Sequence, residues 1–271
     1  MTKSSKKVLG VWAGEGLLPV RIAANALKER PVVVVAFREF SDIPALRQTG
    51  AKIHVISIGQ MGLNLSLLRK EHVSELVMIG KFQKKIIFGQ TKLDLTGLRM
   101  VLKLANHRDM SVFKVLSSEL DRIGIRVISQ SAYLPEFLST SGAMTRTKPS
   151  REAMKDISYG TSIARKMAEH DIGQTIVVCH GSVVSVEAYE GTNAAIGRVP
   201  DYLGKRSVVI KAARLRQDFR FDIPTVGTKT LELMRGKNIK ILALEAGKTM
   251  IAEKDDFIKY ADKNHIAVYG F

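Results

Sequence analysis

The feature that most constrains this chain is a rhythm in its first half. Short apolar runs recur at Val8 to Ala13, Val32 to Phe37, Ile53 to Ile58 and Leu76 to Ile79. Between them lie stretches with helical spacing, such as Val20, Ile22, Ala23, Ala26 and Leu27. Strands that are apolar throughout need cover on both faces, and alternation with amphipathic helices provides it in a parallel sheet. Pro19 marks the start of the first helix and Pro31 its end. Further helices are expected within 94–124 and a strand at Val127 and Ile128. The first domain, 1–138, is therefore expected to be a Rossmann-like α/β domain.

Residues 139–150 are small, polar and turn-rich, and are expected to form a linker. A helix over about 151–169 follows, with Ser150 as its cap. The second domain, 151–271, reads differently. Thr175 to Cys179 and Val183 to Ala188 flank His180-Gly181-Ser182, a hairpin spacing. Strands at Val208 to Ala212, Ile241 to Leu244 and Ala267 to Tyr269, with helices near 192–202, 228–235 and 255–264, complete a mixed α/β domain.

Composition narrows the function. Lys and Arg number 42 against 26 Asp and Glu, a net charge of +16. Residues 1–140 hold 21 basic and 11 acidic side chains and the remainder 21 and 15, so the bias covers the surface and is no tail. An anionic partner follows: a phosphorylated small molecule, an acidic lipid surface or nucleic acid. Nucleic acid is not expected, because aromatics are only 6% and no groove-reading motif occurs. The lone Cys179 excludes an internal disulfide and a cysteine-based zinc site, and favours a reducing compartment. The apolar run near the N-terminus is too short for a signal peptide, and no run is long enough to span a bilayer.

Five segments could carry chemistry. Gly14-Glu15-Gly16-Leu17 follows the first strand, where glycines let a backbone approach a phosphate. Gly80-Lys81 follows the Leu76 to Ile79 strand, with Lys84 and Lys85 close behind. Glu190, Gly191 and Thr192 end a strand and open a helix, with Thr192 as expected cap and Glu190 a metal candidate. Lys211 to Gly227 is densest: if 218–222 is extended, Asp218, Arg220 and Asp222 project to one side. Two carboxylates flanking a guanidinium suit Mg²⁺ and phosphate. Gly247-Lys248-Thr249 resembles a phosphate loop, but Leu242 stands where its first glycine must be. The histidines show no metal-ligand spacing.

Taken together, Ala13-Gly-Glu-Gly-Leu-Leu-Pro19, Glu187-Ala-Tyr-Glu-Gly-Thr-Asn193, Gln217-Asp-Phe-Arg-Phe-Asp-Ile-Pro-Thr-Val-Gly227 and Leu244-Glu-Ala-Gly-Lys-Thr249 resemble the UDP-2,3-diacylglucosamine pyrophosphatases of the LpxI type. The likeness runs from about residue 7 to 271. It implies a two-domain enzyme of lipid A biosynthesis with its active site between the domains. Such an enzyme is Mg²⁺-dependent and forms UMP and 2,3-diacylglucosamine 1-phosphate by water attack on the α-phosphorus. An essential aspartate of the family falls on Asp222. Asp218, Arg220 and Lys211 join it as expected catalytic groups, and Asp218 and Glu190 as further metal ligands. Gly14, Gly16, Leu17, Gly80, Lys81, Gly191, Thr192 and Lys248 are expected to contact substrate. This chain has Asn193 where the family usually has Asp, and Gln83-Lys84-Lys85 where it tends to carry Arg-Pro. A cytoplasmic protein attached peripherally to the anionic inner membrane is expected, and a second copy, as a homodimer, is another candidate partner. The competing reading is a nucleotide-sugar-binding or NAD(P)-dependent oxidoreductase; Pro19, in place of a third fingerprint glycine, argues against it.

Overall fold

A computed structural model describes residues 7–82, 92–103, 109–215, 217–221 and 223–271. It divides into two compact units, Met1–Leu134 with Phe219–Phe221, and Pro135–Asp218 with Asp222–Phe271.

The first unit is a parallel five-stranded sheet, β1 (Val8–Ala13), β2 (Val32–Phe37), β3 (Lys52–Ile56), β4 (Val73–Ile79) and β5 (Arg126–Val127), in the order β3-β2-β1-β4-β5. Helices α1 (Leu18–Leu27), α2 (Ile43–Arg47), α3 (Met61–Lys70), α4 (Leu95–Leu102) and α5 (Asp109–Arg122) accompany it. Every residue of β2 is buried, as its unbroken apolar run requires. Pro19 lies in the first turn of α1, where its missing N–H has no bond to lose. The short α2 escapes periodicity because five residues make too little pattern; Asp42 caps it by accepting from the Ala45 N–H at 3.1 Å.

A three-residue excursion completes this unit. Phe219–Phe221 forms a turn whose Phe221 ring stacks on Phe113 at 4.8 Å between centroids. Gln130 holds the turn: its backbone N–H donates to the Phe219 carbonyl, and its amide donates to the carbonyls of Phe221 (3.2 Å) and Met78 (2.7 Å). Residues 219–221 are therefore a turn, so the condition that 218–222 be extended is not met over them, and the alternation that put Asp218 and Arg220 on one side does not hold. Packing of Phe221 outweighs the local β pattern. Asp222, Gln83, Lys84 and Lys85 lie outside the described residues.

The second unit centres on a mixed sheet of β6 (Gly142–Ala143), β7 (Thr175–Cys179), β8 (Ser182–Val186), β9 (Val208–Lys211), β11 (Ile241–Leu244) and β13 (Ala267–Gly270), ordered β6-β13-β11-β9-β7-β8. A parallel pair, β10 (Thr225–Val226) with β12 (Met250–Ile251), stands apart from it. Helices α6 (Arg151–Glu169), α7 (Thr192–Gly197), α8 (Thr228–Gly236) and α9 (Lys254–Lys263) belong to this unit. Apolar clusters form on both faces of the sheet. The β7–β8 hairpin forms as its spacing indicates, with Asp156 accepting from the turn amides of His180 and Gly181. Ser150 caps α6, accepting from the Ala153 N–H. The stretch expected as a linker contributes β6, which pairs antiparallel with β13, and its Ser139 is buried.

Candidate functional site

In open α/β sheets, ligands bind beyond the carboxyl ends of the strands, where the strand order reverses. In the first unit that point lies between β1 and β4. The two loops singled out in sequence meet there. Glu15 and Lys81 exchange backbone hydrogen bonds at 3.0 and 3.1 Å, and the Gly14 N–H donates to the Ile79 carbonyl at 2.7 Å. A Cβ on Gly14 would come within 2.8 Å of the Gly80 carbonyl carbon; one on Gly80, at φ 97°, within 2.7 Å of that of Gly14. Glycine at both positions is what lets the loops touch. Leu17 and Lys81 are exposed beside them.

Next to this edge lies an apolar cavity of about 220 Å³. Gly80 and Phe82 belong to its wall, with Trp12, Met78, Met100 and Phe221. Its side-chain N–H donors are already engaged: the Trp12 Nε1 donates to the buried Asn64 Oδ1 at 3.0 Å, and the Gln130 amide nitrogen holds the 219–221 turn. Sequence reading missed Asn64 and Gln130. Neither belongs to a recognisable motif, Asn64 standing among leucines and Gln130 between two serines, and only the fold shows their partners.

In the second unit, register gathers a different set. Thr175 pairs with Lys211, Leu244 with Lys211, and Ile176 with Val186. The start of β7 and the ends of β8, β9 and β11 therefore share one edge, which brings together Thr175, Glu187, Lys211 and Glu245. Lys211 is almost wholly buried. Its Nζ donates to Thr192 Oγ1 at 2.9 Å and Thr175 Oγ1 at 3.1 Å, and lies 3.8 Å from Glu187 Oε2. The Thr192 hydroxyl in turn donates to Glu187 Oε1 at 2.8 Å. Thr192 is not a cap: Gly191, at φ 88°, takes that place, and Thr192 is the first residue of α7. Burial by itself would raise the Glu187 carboxyl, but the Lys211 ammonium and the hydroxyls of Thr175 and Thr192 outweigh it and hold the group below its ordinary value.

Glu245 forms a second buried node. It accepts from Arg165 and Lys248 at 3.0 Å each and from the Ala213 N–H at 2.9 Å. Burial pushes this carboxyl up, and Lys248, the Ala213 amide and Arg165 bring it down further than burial raises it. Lys248 therefore sits beside the same strand edge with its ammonium directed to Glu245. Glu187 and Glu245 both lie in segments singled out in sequence, but neither stood out there in a role of its own; the signal was their place one residue past an apolar strand.

The remaining expected residues are more dispersed. Glu190 is held by Arg198 at 2.5 Å. Arg220 lies 4.9 Å over the Phe221 ring. Gln217, next to Asp218, accepts from the Gln174 amide at 3.4 Å, which ties that segment to the start of β7. Among the described residues, no three His, Cys, Asp or Glu side chains form a group able to hold a metal ion. No helix among them is long and apolar enough to cross a membrane.

These are two α/β units, one with a glycine-built edge backed by hydrocarbon, the other with an edge of buried, paired charge. Comparison with known proteins gives that class a family. The LpxI N-terminal domain model matches residues 8–137 and the LpxI C-terminal domain model residues 140–269. The chain belongs to the LpxI family. The UDP-2,3-diacylglucosamine pyrophosphatase LpxI of Caulobacter vibrioides is 29% identical over 97% of this chain and 96% of its own length. Among solved structures, glycinamide-RNase-transformylase T from Mycobacterium tuberculosis aligns at 16% identity and a TM-score of 0.24, covering 67% of this chain and 44% of its own, too slight a likeness to bear on fold or function.

Proposed function

We propose that this chain hydrolyses the pyrophosphate bond of UDP-2,3-diacylglucosamine to UMP and 2,3-diacylglucosamine 1-phosphate, in lipid A biosynthesis. Membership of the LpxI family through both halves carries the reading. The apolar cavity of the first unit favours a ligand with acyl chains over a bare nucleotide sugar, because its lining is largely apolar and the side-chain N–H donors of Trp12 and Gln130 are already bonded.

A pyrophosphate diester resists water because its negative charge repels the nucleophile. A catalyst must offer fixed positive charge and orient a water molecule. Lys211 meets the first of these needs. Its ammonium is shielded from solvent and pre-oriented by two hydroxyls, so little reorganisation is needed when an anion approaches. Arg220 supplies a second cation. Asp222 orients or deprotonates the water that attacks the α-phosphorus, the one nearer uridine. Mg²⁺ would add charge neutralisation at the phosphates, with Asp222 and Asp218 as its carboxylates. Glu190 would have to leave Arg198 to join them. Gly14, Gly16, Leu17, Gly80 and Lys81 hold one part of the substrate, and Gly191, Thr192 and Lys248 another. Salt-reversible attachment to the anionic cytoplasmic face of the inner membrane completes the reading.

The test is turnover of UDP-2,3-diacylglucosamine by the purified protein in ¹⁸O-labelled water, with Mg²⁺ and with excess chelator. Label in UMP, lost on chelation, is the expected result. Label in the lipid phosphate would move the attack to the sugar-side phosphorus. A folded protein without turnover would end the assignment.

A further inference from the structure

Helix α4 carries apolar side chains on two opposite faces. Gly97, Met100 and Val101 line the cavity. Leu95, Leu98 and Leu102 stand on the other side, 74%, 47% and 76% exposed. With Arg99 they occupy roughly a third of the helix circumference. Single exposed leucines are ordinary on a protein surface, but three on one face of one helix mark a contact surface. The helix is firmly seated: the Asp94 carboxylate accepts from the N–H of Gly97 at 2.8 Å and of Gly62, in α3, at 2.7 Å. Leu63, next to Gly62, is also exposed.

Charge indicates what would meet this face. Arg99 lies within it, and exposed Lys92 and Lys103 bracket the helix, the latter also pairing with Glu119. The whole chain carries +16. Basic groups interleaved with leucines match a surface that is anionic outside and hydrocarbon beneath.

We infer that the Leu95–Leu98–Leu102 face of α4 is a docking surface that lies in the interfacial plane of an anionic lipid bilayer. The inference rests on the acyl-substrate reading above. The helix that walls the cavity on one side would then meet lipid on the other, so a lipid substrate would have hydrocarbon contact on either side of α4.

Co-sedimentation of the full chain with vesicles tests this, comparing phosphatidylcholine alone with phosphatidylcholine mixed with phosphatidylglycerol. The wild type is expected to bind the mixed vesicles and to be released by salt. The variant carrying Leu95→Asn, Leu98→Asn and Leu102→Asn should lose at least about tenfold in partition. Its thermal melt and its turnover of detergent-dispersed substrate should match the wild type. Should the triple variant fold poorly, Leu102→Asn alone should show a smaller loss in the same direction. Arg99→Gln should cost about fivefold, more at low salt. Equal binding by wild type and leucine variants overturns the inference, as does a wild type that ignores the mixed vesicles. A dimeric wild type whose triple variant is monomeric, yet binds vesicles undiminished, would assign the leucines to a second copy and overturn it too. Sedimentation needs no turnover: leucine-dependent binding by a protein that hydrolyses nothing would end the pyrophosphatase reading and leave the docking surface in place.

Discussion

The strand ends of the two units are built on opposite principles. In the first, Gly14 and Gly80 touch through bare backbone, and a hydrocarbon cavity lies beside them. In the second, Lys211 and Glu245 are buried and Glu187 is partly buried, all in bonded networks. An edge made by the absence of side chains tolerates changes of charge but not an added methyl group. An edge made of paired charge tolerates changes of shape but not the removal of one partner.

The largest effect expected is on chemistry in the second unit. Asp222→Ala should lower kcat by about 10²–10⁴-fold with an unchanged thermal melt; retained turnover would remove Asp222 from the reaction. Next comes Lys211→Met, which leaves the partly buried Glu187 without its cation. A loss of about 3–5 kcal/mol in urea unfolding is expected. Adding Glu187→Leu should recover most of the stability and none of the turnover; recovered turnover would show that Lys211 only balances charge. The pH dependence sharpens this. Glu187 and Glu245 are both held below the ordinary value of 4.5, so they stabilise the fold at neutral pH, and that contribution is lost as pH falls through their lowered values. In Lys211→Met the Glu187 carboxyl should titrate higher, and the penalty should shrink as the medium is acidified below neutrality. A penalty constant with pH would mean that lost packing, not charge, is responsible.

Smaller effects test the first edge. Gly80→Ala combines left-handed backbone with a backbone clash and should cost about 1–3 kcal/mol. Gly16→Ala, at φ 104° with open space around the new methyl, should cost less, about 1 kcal/mol. Equal costs would show that conformation alone, not contact between the loops, demands glycine. The smallest expected change is Ser150→Ala, about 1 kcal/mol or less from the lost α6 cap, with turnover intact.

The parallel sheet was legible because continuous runs such as Val32 to Phe37 admit few other readings. Pro19 and Ser150 were legible because their roles are local. The charged edge was only half legible. Lys211 and Thr192 stood out as residue types, but Glu187 and Glu245 become neighbours of Lys211 only through strand register, which links segments far apart in the chain. Thr192 looked like a cap because hydroxyls usually cap; Gly191, free to adopt φ 88°, took that place and freed the hydroxyl for Lys211. Alternation misled at Phe219–Phe221, where the stack on Phe113 sets the backbone.

That turn also bears on how the chain acquires its structure. One wall of the first cavity is supplied by Phe221, and Gln130 cannot complete its hydrogen bonds until residues 219–221 exist. During synthesis, then, the N-terminal sheet emerges long before its last piece is available. A fragment ending at Leu134 would present Phe113 and the cavity to solvent, and should associate with itself or with chaperones. The order in which the ribosome delivers the chain is not the order in which its parts can become finished.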